Sequence, residues 1–213
     1  MLFRSGHHDG WEWSELAKLF VDRYPREIYR AIVQEQARHD DGHWFLEHEL
    51  ASEIASLCVE KDPVGAWEET RVHLEATERR AFRFVVGFPD GFVDRMGHSA
   101  VIEWVAVDPV TRASVMADLV AKSYDDDTLA GKLIEQYGAD DDVASAFHSK
   151  LVSGPWVGSS ADHWASIATG MRVVAQRARG SGLRRWATRG AEILEQMSAR
   201  DRVREEEERL RGR

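Results

Sequence analysis

Apolar residues recur along this chain every three or four positions, the spacing that gathers side chains on one face of an α-helix. Ile28, Tyr29, Ile32 and Val33 set the pattern. A first helix is expected before them, capped by Ser14, with Leu16, Ala17, Leu19 and Phe20 facing inward. Pro25 fits the first turn of the next. After the break at His39-Asp40-Asp41-Gly42, a helix from about Trp44 to Glu60 carries the stripe Leu46, Leu50, Ile54 and Leu57. Pro63 ends it, and a long helix follows to roughly Phe84 with Trp67, Leu74, Ala81 and Val85 inward. Residues 82–98 are the least helical; Pro89-Asp90-Gly91 is a turn signal, and the stretch fits either a loop or a short hairpin.

The second half repeats the pattern with shorter helices. Val101, Trp104 and Val105 make one; Ala113, Met116, Ala117 and Val120 the next; Leu129, Leu133, Ile134 and Tyr137 a third, with Gly138 as its stop. Val143, Phe147 and Leu151 follow, then a turn-rich segment at 153–160, then Trp164, Ile167, Ala168, Met171 and Ala175. The last helix uses Trp186, Ala187, Ala191, Leu194 and Met197, and its charged end, 200–213, shows no inward stripe and is expected to be solvated. The expectation is an all-α fold of about nine helices. It divides into an N-terminal helical subassembly, 1–86, and a C-terminal one, 99–213.

Turn signals at Tyr24, Asp62, Asp108, Asp140 and Gly180 are separated by 38, 46, 32 and 40 residues. A period of that size marks stacked helical pairs. Asp108-Pro109-Val110-Thr111-Arg112 and Leu183-Arg184-Arg185-Trp186-Ala187 resemble the turns and second-helix starts of HEAT-type repeats. That resemblance covers roughly residues 99–197 and implies a short α-solenoid in which Asp108, Arg112 and Arg184 are structural. More loosely, the run from Trp156 through Arg185-Trp186-Ala187 into the Glu/Arg-rich end resembles the C-terminal repeat regions of large bacterial multidomain proteins, some of them NTPases of the defence or signalling type. No Gly-x-x-x-x-Gly-Lys-[Ser/Thr] phosphate loop occurs in the chain.

Composition adds three points. Eight tryptophans, placed mostly within helical patterns, are expected as large core plugs. The lone Cys58 sits on an apolar face and reads as a small buried hydrophobe. The net charge of −9 conceals a split: residues 1–153 carry 16 Lys+Arg against 29 Asp+Glu, whereas 154–213 carry 12 against 8. An acidic body with a basic end favours protein partners over bulk nucleic-acid binding. With no signal-peptide pattern after Met1 and no apolar run of membrane-spanning length, the expectation is a cytoplasmic chain without membrane contact.

Candidate chemistry is sparse. His39, His43, Glu47 and His48 form the densest ligand-like group, and His43 and Glu47 are four apart, as ligand pairs on a helix are. They support an alternative reading as a helical metal-dependent hydrolase. The group lacks a His-Glu-x-x-His motif, and Asp125–Asp127 and Asp140–Asp142 lack a calcium-loop pattern and read as helix caps. Arg172, Arg177, Arg179, Arg185 and Arg189, with Arg184, occupy an acid-free stretch and form the partner-binding candidate, for an acidic protein surface or a nucleic-acid phosphate. Arg112, Lys132 and Arg185 are candidate contacts on a concave face. The reading is a non-catalytic protein-interaction scaffold with no cofactor, and nucleic-acid binding through the arginines stands as a second alternative.

Overall fold

Proline and short polar side chains cut the chain into helices. In a computed structural model, described for residues 10–38, 48–76 and 91–212, Pro25, Pro63 and Pro109 each open a helix, where a missing N–H leaves no bond unmade. The helices are α1 Gly10–Phe20, α2 Pro25–Arg38, α3 His48–Lys61, α4 Pro63–Ala76, α5 His98–Val105, α6 Pro109–Leu119, α7 Leu129–Tyr137, α8 Asp141–Val152, α9 Ser160–Arg177 and α10 Ser181–Leu210. A 3-10 turn, Phe92–Arg95, precedes α5. No strand occurs among the described residues, and the fold is all-α.

Side-chain caps satisfy the orphan N–H groups that begin these helices. The Asp62 carboxylate accepts from Gly65 N at 2.9 Å, Thr128 Oγ1 from Gly131 N at 3.0 Å, and Ser159 Oγ from Asp162 N at 3.2 Å. Asp140 caps α8 as its sequence suggests, accepting from Asp142 N at 2.9 Å and Val143 N at 3.2 Å. The Asp125–Asp127 cluster does not cap α7. Thr128 does, and Asp126 is directed elsewhere.

The chain forms two compact units, 1–106 with 119–121, and 107–118 with 122–213. In the first, α2 packs on α3 and α4, α1 on α3, and α3 on α4. Tyr29, Ile32, Ile54, Ala55 and Trp67 are fully enclosed, and Trp67 meets Trp104 edge to face with centroids 5.6 Å apart. The buried Tyr29 hydroxyl and Thr70 Oγ1 share a 2.8 Å hydrogen bond, which satisfies the polar end of the ring. Burial pushes the Cys58 thiol up to about 12, so it packs as a hydrophobe and is not a reactive thiolate.

Two expectations in this unit need correction. The first helix starts at Gly10, so Ser14 lies inside it instead of capping it. Ala17 and Val21 are buried, but Leu16, Leu19 and Phe20 are exposed; the i, i+4 pair sets the inward face. In α3 the stripe is Ala51, Ile54, Ala55, Cys58 and Val59, with Leu57 only half-buried. Trp44, Leu46, Ala81, Val85 and the 82–90 part of the suggested loop or hairpin lie outside the described residues. At the far end of that stretch, Gly91 adopts φ 76 against the Ala121 backbone, a turn that only glycine makes without strain.

In the second unit α9 and α10 form a hairpin across a three-residue turn, and α10 also packs on α7, which packs on α8. Leu129, Leu133, Ile134, Phe147, Leu183 and Trp186 make its centre. The start of α10 docks on α7 so closely that a Cβ at Gly182 would strike the carbonyl of Glu135, while the Glu135 carboxylate accepts from Leu183 N at 2.8 Å. Met197 is exposed instead of inward, and Gly138 ends α7 at φ −70, not in the left-handed region.

The end of α10 departs most from expectation. It remains helical to Leu210 and does carry an inward stripe, but a polar one. Ser198 Oγ donates to Ala161 O at 2.7 Å, Trp164 Nε1 donates to Asp201 at 3.0 Å, and Glu205 accepts from Ser159 Oγ at 2.7 Å and Ser160 Oγ at 3.0 Å. Residues 198, 201 and 205 share a face at helical spacing and hold the start of α9.

The Gly182 approach gives a test. Gly182→Ala is expected to lower stability by about 1–3 kcal/mol through backbone displacement. Urea unfolding monitored by circular dichroism should show this as a lower midpoint with an unchanged slope. A midpoint equal to that of the wild type would mean that the α7–α10 contact is not tight.

Candidate interaction groove

Two helices of the second unit are separated by a groove of about 480 Å³. From α8 it is lined by Asp141, Ser145, His148 and Val152, spaced three or four apart and so on one face. From α10 it is lined by Arg189, Ile193 and Met197, a row at intervals of four. Leu151 and Leu194 complete an apolar stretch, and the Asp141–Arg189 ion pair, Oδ1 to Nη1 at 2.6 Å, gives the groove a charged end. Ile193 and Met197 are 43% and 39% exposed, so the apolar stretch is open to solvent.

Sequence sets the depth of this groove through Gly190. A Cβ there would collide with Met171 and with His148 Nε2, at 2.5 Å, so glycine allows the imidazole to lie against α10. The ring stacks on Trp186 with centroids 4.8 Å apart, and Nε2 lies 3.4 Å from the Trp186 carbonyl. Burial holds the His148 pKa below its ordinary value; the carbonyl contact opposes that shift and the nearby Arg189 reinforces it. Nε2 is directed at a backbone carbonyl, and the imidazole packs against α10.

The arginine cluster is distributed differently from the single patch its sequence suggests. Arg172 makes a two-pronged bond to Glu195, at 2.9 and 2.8 Å. Arg179 lies at the α9–α10 turn, where its backbone N–H donates to Asp126 at 3.0 Å and its guanidinium to Asp127 at 3.0 Å. Arg189 is held by Asp141 at the groove, and Arg184 donates to Ala178 O at 2.7 Å within its own turn. Arg177 and Arg185 are exposed and form no ion pair among the described residues. Three of the five candidates therefore already have carboxylate partners. Arg112 and Lys132, on α6 and α7, are half-buried, whereas Arg185 is exposed on α10.

Asp108 accepts from Thr111 N at 3.4 Å, a local cap on α6. Of the metal candidates, His39, His43 and Glu47 and the side chain of His48 lie outside the described residues. Among the described residues no group of three His, Cys, Asp or Glu is arranged to hold a metal ion. One further cluster carries no hydrophobic periodicity. Trp156 stacks on His163 at 4.7 Å and both rings meet Trp164, an arrangement made possible by the turn-rich 153–159 loop. The isolated Pro155-Trp156 pair is the signal that could have pointed to it.

Among the described residues no helix is long and apolar enough to cross a membrane. Compared with protein-family models, curated proteins and solved structures, the chain matches none of them.

The carboxylates that hold α9 and α10 predict a pH dependence. Backbone N–H groups of Arg179 and Gly180 hold the Asp126 carboxyl below its usual range, and Ser159 with the Ala161 N–H does the same for Glu205. A depressed carboxylate pKa stabilises the fold above the unfolded-state value, near pH 4, and that contribution fades as the pH falls through the folded-state value. Thermal melts from neutral to strongly acidic pH should show midpoints falling below about pH 4. The fall should be shallower in a variant carrying Asp126→Asn and Glu205→Gln; an unchanged slope would show that these two groups are not linked to folding.

Proposed function

We propose that this chain is a non-catalytic protein-interaction module of helical-repeat type, and that the α8/α10 groove is its docking surface. The reading is carried by the open apolar row of Ile193 and Met197 beside Leu151 and Val152, bounded at one end by the Asp141–Arg189 pair. Such a groove, an apolar stretch between two helices with a charged end that fixes register, suits the amphipathic helix of a partner protein. Apolar side chains of that helix at i and i+4 would fill the stretch next to Ile193 and Met197. An acidic residue would meet Arg189 or the exposed Arg185.

Two further observations support binding over chemistry. His148 is stacked and directed at a carbonyl, and the Cys58 thiol is inert. Support for the repeat character comes from the HEAT-like turn at Asp108–Arg112 and second-helix start at Leu183–Ala187, and from α10 packing on both α9 and α7. The extended surface of a helical stack serves partner binding in the same way.

The test uses the full chain as bait. Ile193→Glu, which puts a charge into the apolar stretch, is expected to weaken binding of a purified co-isolated protein at least about tenfold. Thr169→Glu, on the exposed side of α9, should leave it unchanged. Equal binding by the wild type and Ile193→Glu would remove the groove from consideration.

A further inference from the structure

We infer that the helix which docks here is an acidic amphipathic one, and that its docking surface continues along α10 beyond the groove to Arg200 and Arg204. The inference rests on the reading of the groove as a docking surface and names the chemistry of its occupant.

The open row of α10 is longer than the groove. At roughly 100° per residue, Arg189, Met197, Arg200 and Arg204 all lie within about 40° of Ile193 around the helix axis. All five are exposed. The row runs from position 189 to position 204, about 22 Å at the rise of an α-helix. In order it presents an arginine, two apolar residues one turn apart, and two arginines.

The acids of the same helix are mostly kept off this row. Glu192, Glu195 and Glu206 lie about 100° or more from Ile193. Asp201 and Glu205 turn to α9, where they accept from Trp164 Nε1 and from the Ser159 and Ser160 hydroxyls. Only past Arg204 does the row become mixed, with Glu207 and Glu208. Two carboxylates meet its arginines: Asp141 pairs with Arg189 at 2.6 Å and Glu208 with Arg204 at 3.7 Å. Both pairs are exposed, and exposed pairs are worth little and exchange readily. Arg200 forms no ion pair among the described residues; its charge acts on Asp201, which is already bonded to Trp164.

This order selects the partner. Ile193 and Met197 call for apolar side chains one turn apart, which a helix supplies at i and i+4. Arginines on both sides of them call for acidic residues on the same face of that helix, before and after its apolar pair. A basic helix would set like charges on Arg200 and Arg204. A nucleic-acid backbone would lay phosphates on Ile193 and Met197, and would approach a chain whose residues 1–153 carry 29 Asp+Glu against 16 Lys+Arg. A single helix buries a small area, so the affinity is expected in the micromolar range.

Fluorescence anisotropy on the full chain tests the proposal with a designed probe. The probe is a labelled helical peptide of about 19 residues, with two leucines one turn apart at its centre and two glutamates on the same face beyond each leucine. That pattern reads the same in both directions, so the orientation of the bound helix does not matter. The wild type should bind it below about 300 µM, and at least about tenfold more tightly than the same peptide with lysines in place of the glutamates. A variant carrying Arg200→Glu and Arg204→Glu should bind the glutamate peptide at least about tenfold more weakly, and the lysine peptide more tightly, than the wild type does. Circular dichroism on both proteins separates lost binding from lost helix. No binding of the glutamate peptide, equal binding of the two peptides, or an unchanged affinity in the variant would each overturn the proposal. So would a duplex DNA oligonucleotide that binds the wild type more tightly than the glutamate peptide and is lost with the variant. A co-isolated protein whose binding is lost with Ile193→Glu but unaffected by the Arg200→Glu, Arg204→Glu variant would overturn this inference alone and leave the docking groove standing.

Discussion

The packing of the first half of α10 against α7 and α9 is the contact on which the second unit depends. Its small residues decide how near the helices come: Gly182 meets the Glu135 backbone, Ala187 and Ala191 are fully buried, and Gly190 admits His148 and Met171. Close approach raises the number of atoms at contact distance, and dispersion together with apolar burial stabilises the arrangement. With one side of α10 fixed in this way, the side bearing Arg189, Ile193 and Met197 is held open as the wall of a groove. The groove is thus a consequence of which side of the helix is buried.

Polar anchors then fix the ends. Asp126 takes the N–H groups of Arg179 and Gly180 at the α9–α10 turn, and Glu205 takes Ser159, Ser160 and the Ala161 N–H at the start of α9. Both carboxylates bind backbone or hydroxyl donors at helix ends, where orphan N–H groups favour negative charge. The hairpin is therefore held at its turn by a residue over fifty positions earlier and at its open end by the helix tail.

Much of this was legible in the sequence, and the exceptions share a cause. Periodicity located buried positions in α5 to α7 because each of these short helices carries one apolar stripe: Val101 and Trp104, Met116 and, just past its end, Val120, and Leu133 and Ile134 are all buried. It failed on α1, where four apolar residues competed for a face that holds Ala17 and Val21. It failed on 198–205 because the inward stripe there is Ser, Asp and Glu, which a hydrophobicity pattern scores as solvent. The ion pairs of the arginine stretch were hidden for a related reason. The local stretch has no acid, but Asp126, Asp127 and Asp141 arrive from other segments and Glu195 from further along α10, and only the fold brings them near.

The same reasoning explains why the groove was not visible as a motif. Its walls come from α8 and α10, with α9 between them in the chain, and each contributes a row that separately looks like an ordinary half-polar helix face. Met197 was counted as core from spacing alone, since it lies three positions beyond the buried Leu194. The structure places it over the groove because the buried face of α10 turns polar from Ser198 onward, and Ser198, not Met197, follows Leu194 at the i+4 position. A core that ends in a polar stripe leaves the neighbouring apolar residues without a neighbour inside their own unit. An exposed Ile193–Met197 row beside a half-open groove is therefore the expected product of this helix, and it is the feature on which the proposed docking rests.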